Sequence, residues 1–224
     1  MHRKYISILI VVLAVLTTAC VAQTWDAKKD FAASNPNGAW SYGTGITGTS
    51  FNLYTIYNPD CWPVSGVVCW TAETYGSDPF VGFNTTGVWL NWSTAVIPPN
   101  ALNVSPGPYS DQDTIVQWTA PATGTYRIYG YFEILDIDPT GIIGLVYVNG
   151  TQIYRGELLG PPAQLPDQAG GAEDFYFDKL SLNAGDVVSF GVNSDGDFHY
   201  DTTGINAWII ANPPNIPKCA VCSK

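Results

Sequence analysis

Residues 193–201, NSDGDFHYD, hold the densest run of potential metal-ligand chemistry in the sequence. Asn193, Asp195, Asp197 and Asp201 set hard oxygen donors at mostly alternate positions, as calcium loops do, and Gly196 permits a sharp turn among them. The terminal Glu and flanking helices of an EF-hand are missing. The expectation is one calcium ion held by Asp195, Asp197 and Asp201, with Asp30 joining them if the first and last segments lie side by side. The competing reading is a solvated hairpin turn, where Asp, Asn and Gly are common for backbone reasons alone.

The aromatic residues are the second constellation. Exposed rings make apolar platforms for sugar faces, and neighbouring Asn, Asp and Gln hold hydroxyls. Trp62 and Trp92, with Trp89 and Trp40, are the candidate ligand-binding rings. Trp89 and Trp92 flank a turn-like Leu90-Asn91. Trp118 and Trp208 sit in alternating stretches and are expected in the core. Rings of this kind also fill sandwich interiors, so a purely structural role competes throughout.

Catalytic patterns are weak. His199, Asp201 and a serine could be drawn as a triad, but no Gly-x-Ser-x-Gly elbow occurs. The acid pairs Glu133/Asp136 and Glu173/Asp174 could suggest glycoside hydrolysis. Glu133 shares a strand face with Arg127, Tyr129 and Tyr131, where a solvated cross-strand pair is the plainer reading. The chain is expected not to be an enzyme, with a glycoside hydrolase as the lesser alternative.

The elements that must position these groups read as strands. In residues 119–136, TAPATGTYRIYGYFEILD, Tyr126, Ile128, Gly130, Phe132 and Ile134 point one way and Arg127, Tyr129, Tyr131 and Glu133 the other. Asn149-Gly150 between LVYV and TQIY is a strong hairpin signal. Asn183-Ala184-Gly185-Asp186 separates two further strands. No helix is expected beyond one turn in residues 26–33. The Pro/Gly-rich stretch 158–174 reads as a long loop. These patterns predict an all-β antiparallel sandwich, with Ile128, Phe132, Val146, Val148, Val188, Phe190 and Ile209 on inner faces.

Residues 1–22 have a basic start, a short apolar run and small residues at Ala19 and Ala22, the pattern of a secretory signal peptide. Cleavage after Ala22 competes with lipidation at Cys20, because Leu16-Thr17-Thr18-Ala19 loosely follows a lipobox. The expected organisation is signal 1–22, sandwich 23–211 and a Pro/Cys-containing tail 212–224, giving a secreted or cell-surface protein without a membrane span after cleavage. In an oxidising space, Cys61–Cys69 and Cys219–Cys222 are the expected disulfides; a shared zinc site is the alternative. The net charge of -10, from 19 Asp and Glu against 9 Lys and Arg, argues against nucleic acid.

The ordered segments DFAASNPNGAWSYG, NTTG, VSPGPYSDQDTIVQWTAPATGTYRIYGYF, VYVNGTQIY, LNAGDVVSFGV and YDTTGINAWI resemble the jelly-roll domain of exported bacterial proteins, often of PEP-CTERM type. The resemblance covers nearly all of the chain after the leader. It implies a jelly-roll sandwich, similar to those of carbohydrate-binding modules that hold calcium. It implies no specific activity. In that family the position of Ser105 is frequently His, so the chain departs from the pattern at a candidate site position. Residues 212–224 hold no Pro-Glu-Pro motif, and anchoring by that route is not expected. The function expected from residues and resemblance together is non-catalytic binding of a polysaccharide or extracellular matrix polymer. The alternative is a structural or adhesive surface protein that self-associates.

Overall fold

The structure, a computed structural model, describes residues 22–61, 65–72, 78–159 and 170–213. In chain order the strands are β1 (Thr24–Asp26), β2 (Trp40–Gly45), β3 (Asn52–Leu53), β4 (Ile56–Asn58), β5 (Val67–Thr71), β6 (Phe80–Asn84), β7 (Leu90–Trp92) and β8 (Ala95–Ile97). They continue with β9 (Leu102–Ser105), β10 (Asp113–Thr119), β11 (Gly124–Ile134), β12 (Ile142–Val148), β13 (Thr151–Leu158), β14 (Gly170–Leu182), β15 (Val187–Asn193) and β16 (Thr203–Ala211). No helix occurs among the described residues. The expected single turn near residue 26 is present, with the Asp30 N–H donating to the Asp26 carbonyl at 2.8 Å.

One sheet runs β14-β11-β16-β9-β6-β5-β4, with β1 also paired to β16; the other runs β13-β12-β15-β10-β2-β3. The last eight strands carry the fold's signature. β14-β11-β16-β9 in one sheet face β13-β12-β15-β10 in the other. This interleaving of strands, all antiparallel, is a jelly roll. β6, β5 and β4 widen the first sheet and β2 and β3 the second on the same side, while β7 and β8 form a two-stranded sheet of their own.

The strict alternation of β11 places Tyr126, Ile128, Phe132 and Ile134 inside, each at most 2% exposed. Phe132 lies 5.5 Å from the Phe175 ring and stacks on Tyr154 at 6.2 Å, so it joins the two sheets. Val146, Val188, Phe190 and Ile209 are also fully buried, and Val148 packs against them from the margin. Gly130 keeps its inward place because a side chain there would meet the Asn206 carbonyl at 2.1 Å. The β12–β13 hairpin turns through Asn149 (φ 47°) and Gly150 (φ 79°), the left-handed pair that Asn-Gly supplies at small cost.

Trp118 is in the core as expected, at 0% exposure. Trp208 is not. Ile205, Ala207 and Ile209 take the inner face of β16, so parity sends Trp208 outward, where it stacks on Tyr129 at 5.3 Å. The edge strand β14 is bulged opposite Tyr126 and Ile128, where Lys179 has φ 59°, and it carries Glu173, Asp174 and Asp178. Bulges and charges of this kind hinder edge-to-edge pairing.

Cys61 and Cys69 form a disulfide. It anchors a second small core of Val67, Phe80, Ala95, Ile97 and Ala101, against which Leu90 and Trp92 pack. Closing so short a loop contributes about 2–3 kcal/mol in the chain-entropy account. Cys69→Ser is expected to lower the thermal midpoint, and reductant should move the parent chain to the same value; unchanged melting would contradict this. Cys219 and Cys222 lie outside the described residues, as do residues 1–21 and most of the expected 158–174 loop.

Candidate functional site

Four neighbouring strands of the larger sheet end at the same margin. Ile134 pairs with Thr203, Thr203 with Val104, and Ser105 with Phe80. The residues just beyond these strand ends therefore meet in space. Asp136 leaves β11, Asp201 leads into β16, Ser105 closes β9 and Asp78 precedes β6. The β7–β8 hairpin folds over this margin through an Ala95–Asp136 bridge and brings Trp92, Ser93 and Thr94. The segment 198–202 closes the far side. Together they line a cleft of about 250 Å³, open to solvent.

The three carboxylates differ in how they are held. Asp136 is 2% exposed and has a donor on each oxygen: Thr94 Oγ1 donates to Oδ1 at 2.5 Å and the Thr202 N–H to Oδ2 at 2.8 Å. Asp201 is 1% exposed. Its Oδ1 accepts from the Gly141 N–H at 3.2 Å and lies 2.9 Å from the Thr140 hydroxyl. Its Oδ2 has no partner among the described residues. Asp78 bonds to Ser105, and its Oδ1 is likewise buried without a partner.

Burial sets the protonation of this group. Desolvation pushes the Asp201 carboxyl up to about 8; the Thr140 and Gly141 bonds oppose the shift, and the charges of Asp136 and Asp197 add to it. Desolvation also raises Asp78, with Ser105 opposing and Asp136 adding. Buried acids without a cation resist ionising.

The aromatic wall comes from Trp92, Phe198, His199 and Tyr200. Trp92 is half-buried, anchored below by the small core. Tyr200 is 48% exposed and has φ 60°. A bulky residue in the left-handed region costs on the order of 1–2 kcal/mol, and such outliers cluster at functional sites. Thr140 fixes this segment: its hydroxyl lies 2.8 Å from the Asp197 carbonyl and 2.7 Å from that of His199. His199 Nδ1 lies 2.6 Å from Asp197 Oδ1, which holds the Asp197 carboxyl below its usual range.

The expected calcium ligands do not converge. Asp197 faces outward to His199, whereas Asp201 is buried at Thr140. Asp30 is elsewhere: its Oδ2 accepts from the Asp26 N–H at 3.0 Å and from Trp40 Nε1 at 3.2 Å. β1 does lie beside β16, but the chain turns back at residues 27–30 before reaching Asp201. Asp195 sits at φ 48° in a turn whose N–H bonds to the Asn193 side chain. Among the described residues no three His, Cys, Asp or Glu side chains are placed to hold a metal ion. The plainer reading, a polar turn, describes residues 193–197.

Of the expected ligand-binding rings, Trp92 is in the cleft. Trp89 is 38% exposed but does not line it. Trp40 is 1% exposed and inside the sandwich, because β2 begins there and pairs it with Trp118; it has no face for a ligand. Trp62 lies outside the described residues. Ser105, where the resembled family often has His, does line the cleft, and His199 lies in the same wall. The residues that sequence reasoning passed over are Asp78, Thr94, Thr140 and Tyr200, and Asp136 as part of this group. Asp78 and Asp136 share one signal, acids placed immediately outside strand ends in a charge-poor chain; Thr94, Thr140 and Tyr200 carry none.

No family model and no curated protein matches the chain. Solved structures resemble it in part. The K3 adhesin domain of Lys-gingipain from Porphyromonas gingivalis aligns at 12% identity and TM-score 0.38, covering 84% of this chain and 96% of that one. A family 35 carbohydrate-binding module from Clostridium thermocellum aligns at 10% identity and TM-score 0.30, covering 64% and 87%. A GH26-CBM35 β-(1,4)-mannanase from Podospora anserina aligns at 18% identity and TM-score 0.32, covering 68% of this chain but only 29% of the mannanase. The kinship to PEP-CTERM-type proteins is not shown by these likenesses, and at such scores the all-β sandwich rests on the strand order itself.

Proposed function

We propose that the chain is an exported, non-catalytic binding domain that takes a glycan or related extracellular polymer in the cleft beside Trp92. The observation that supports this reading most is the meeting of Trp92 with Asp78, Asp136 and Asp201 in one open groove. A half-buried indole offers an apolar surface to a sugar ring. Ser93, Thr94, Ser105 and Thr202 add hydroxyl groups around it. A Ser-His-Asp arrangement is disfavoured, because His199 lies against Asp197 rather than a serine. Export rests on the leader pattern of residues 1–22. Among the described residues no helix is long and apolar enough to cross a membrane. The bulged, charged β14 edge weighs against the adhesive, self-associating alternative.

Retention of the chain without its leader on a panel of immobilised polysaccharides tests the reading. At least one is expected to retard the protein without release of reducing ends. Trp92→Ala should weaken that retention about tenfold, the size of one lost ring contact, while the circular dichroism is unchanged. Release of reducing ends, or no retention on any polymer, would count against the proposal.

A further inference from the structure

We propose that the cleft is built for a positively charged group, and that its ligand is a glycan carrying free amino groups, such as a glucosamine polymer. The inference deepens the binding reading above and rests on it. Three carboxylates line the cleft, and no Lys or Arg is among its lining residues. Asp201 is 1% exposed and its Oδ2 has no partner among the described residues; Asp78 is part-buried and its Oδ1 is also without one. A buried carboxylate oxygen left without a donor is costly. Natural structures seldom leave such atoms unpartnered without a reason, and a bound ion or water is a common one.

An ammonium group suits the cleft in three respects. It donates up to three hydrogen bonds, so it can serve one carboxylate and neighbouring hydroxyl oxygens along the groove together. Its charge offsets the repulsion among Asp78, Asp136 and Asp201. Trp92, Phe198 and Tyr200 give the cleft aromatic faces, which attract cations as well as sugar rings. A bare metal ion fits less well. The acids line an open groove and do not converge on a point, and no three of them form a metal cage. A lysine side chain would satisfy the acids but would offer nothing to the hydroxyls of Ser93 and Thr202, whereas a sugar supplies several matching groups.

Calorimetric titration of the protein with oligomers of glucosamine, N-acetylglucosamine and glucose tests the assignment. The deacetylated oligomer is expected to bind about tenfold or more tightly than the other two, as one charge-assisted pair provides. That advantage should shrink with added salt. Asp201→Asn keeps the acceptor for Gly141 and should remove the preference while the fold persists; Asp78→Asn should reduce it. Equal affinity for the three oligomers, or a preference that survives Asp201→Asn, would overturn the amino-sugar assignment. So would tighter binding of an oligolysine peptide, or calcium binding that Asp201→Asn abolishes. A neutral glucose oligomer that binds as tightly as the glucosamine oligomer, with both lost in Trp92→Ala, would overturn this inference alone. The absence of any glycan binding that depends on Trp92 would remove the broader reading as well.

Discussion

Phe132→Ala is expected to cost about 3–5 kcal/mol, a large part of the roughly 5–15 kcal/mol that holds a domain folded. The ring is fully buried and touches both layers. Phe175 approaches it from the neighbouring strand β14, and Tyr154 stacks on it from the opposite sheet. Gly144 lies so close beneath it that an added Cβ would meet the ring at 2.6 Å. Such packing leaves little room for collapse into the space vacated, so the cavity penalty adds to the lost burial. Tyr176→Ala provides the contrast. It belongs to the adjoining strand but faces outward at 54% exposure, and should cost about 1 kcal/mol or less. Urea midpoints for the two variants check the expectation. Comparable losses would mean that the inward and outward faces are misassigned.

Asp201→Asn is expected to stabilise the protein at alkaline pH. The carboxyl titrates near 3.8 when free and at about 8 when folded. Between those values the unfolded chain loses the proton and the native chain keeps it. The Asp201 contribution is therefore fully present below pH 4, declines as pH rises toward 8, and is flat above that. Asn cannot ionise and keeps an acceptor for the Gly141 N–H. The variant should gain on the order of 1–3 kcal/mol over the parent at pH 9, the scale for a buried group left unsatisfied, and little at pH 4. Asp78 shifts in the same direction, so part of the slope should remain in the variant. Denaturant midpoints at pH 4, 6 and 9 decide the matter. Parallel curves for parent and variant would show that the carboxyl is ionised and solvated in the native state.

Much of the sandwich was legible because strand parity is a local property. The alternation of residues 125–134 places Ile128 and Phe132 inside without any knowledge of their neighbours. Asn149-Gly150 announces its turn by backbone preference alone. Parity does not say which face is covered, however. That is why Trp40, in an aromatic strand, reads as a ligand platform but is buried under the other sheet, and why Trp208 reads as core but faces out. The cleft was less legible still. Asp78, Asp136 and Asp201 are far apart in the sequence and meet because β6, β9, β16 and β11 are consecutive neighbours in the sheet. That order arises from the long-range jelly-roll pairing, which no local pattern encodes. Asp30 shows the same limit at finer scale. Adjacency of the first and last segments is correct, but the turn after β1 carries Asp30 back toward Asp26 and Trp40 instead of onward to Asp201.

The most direct test of the binding account is to map the contact surface by heteronuclear NMR as a retained glycan is added. The account predicts that the Trp92 indole N–H and the backbone amides of Ser93, Thr94 and residues 198–202 move with the added ligand. Trp208 and Tyr176, on the outer face of the larger sheet, should stay in place. Shifts confined to that outer face, or to the polar turn at residues 193–197, would contradict the cleft as the binding site.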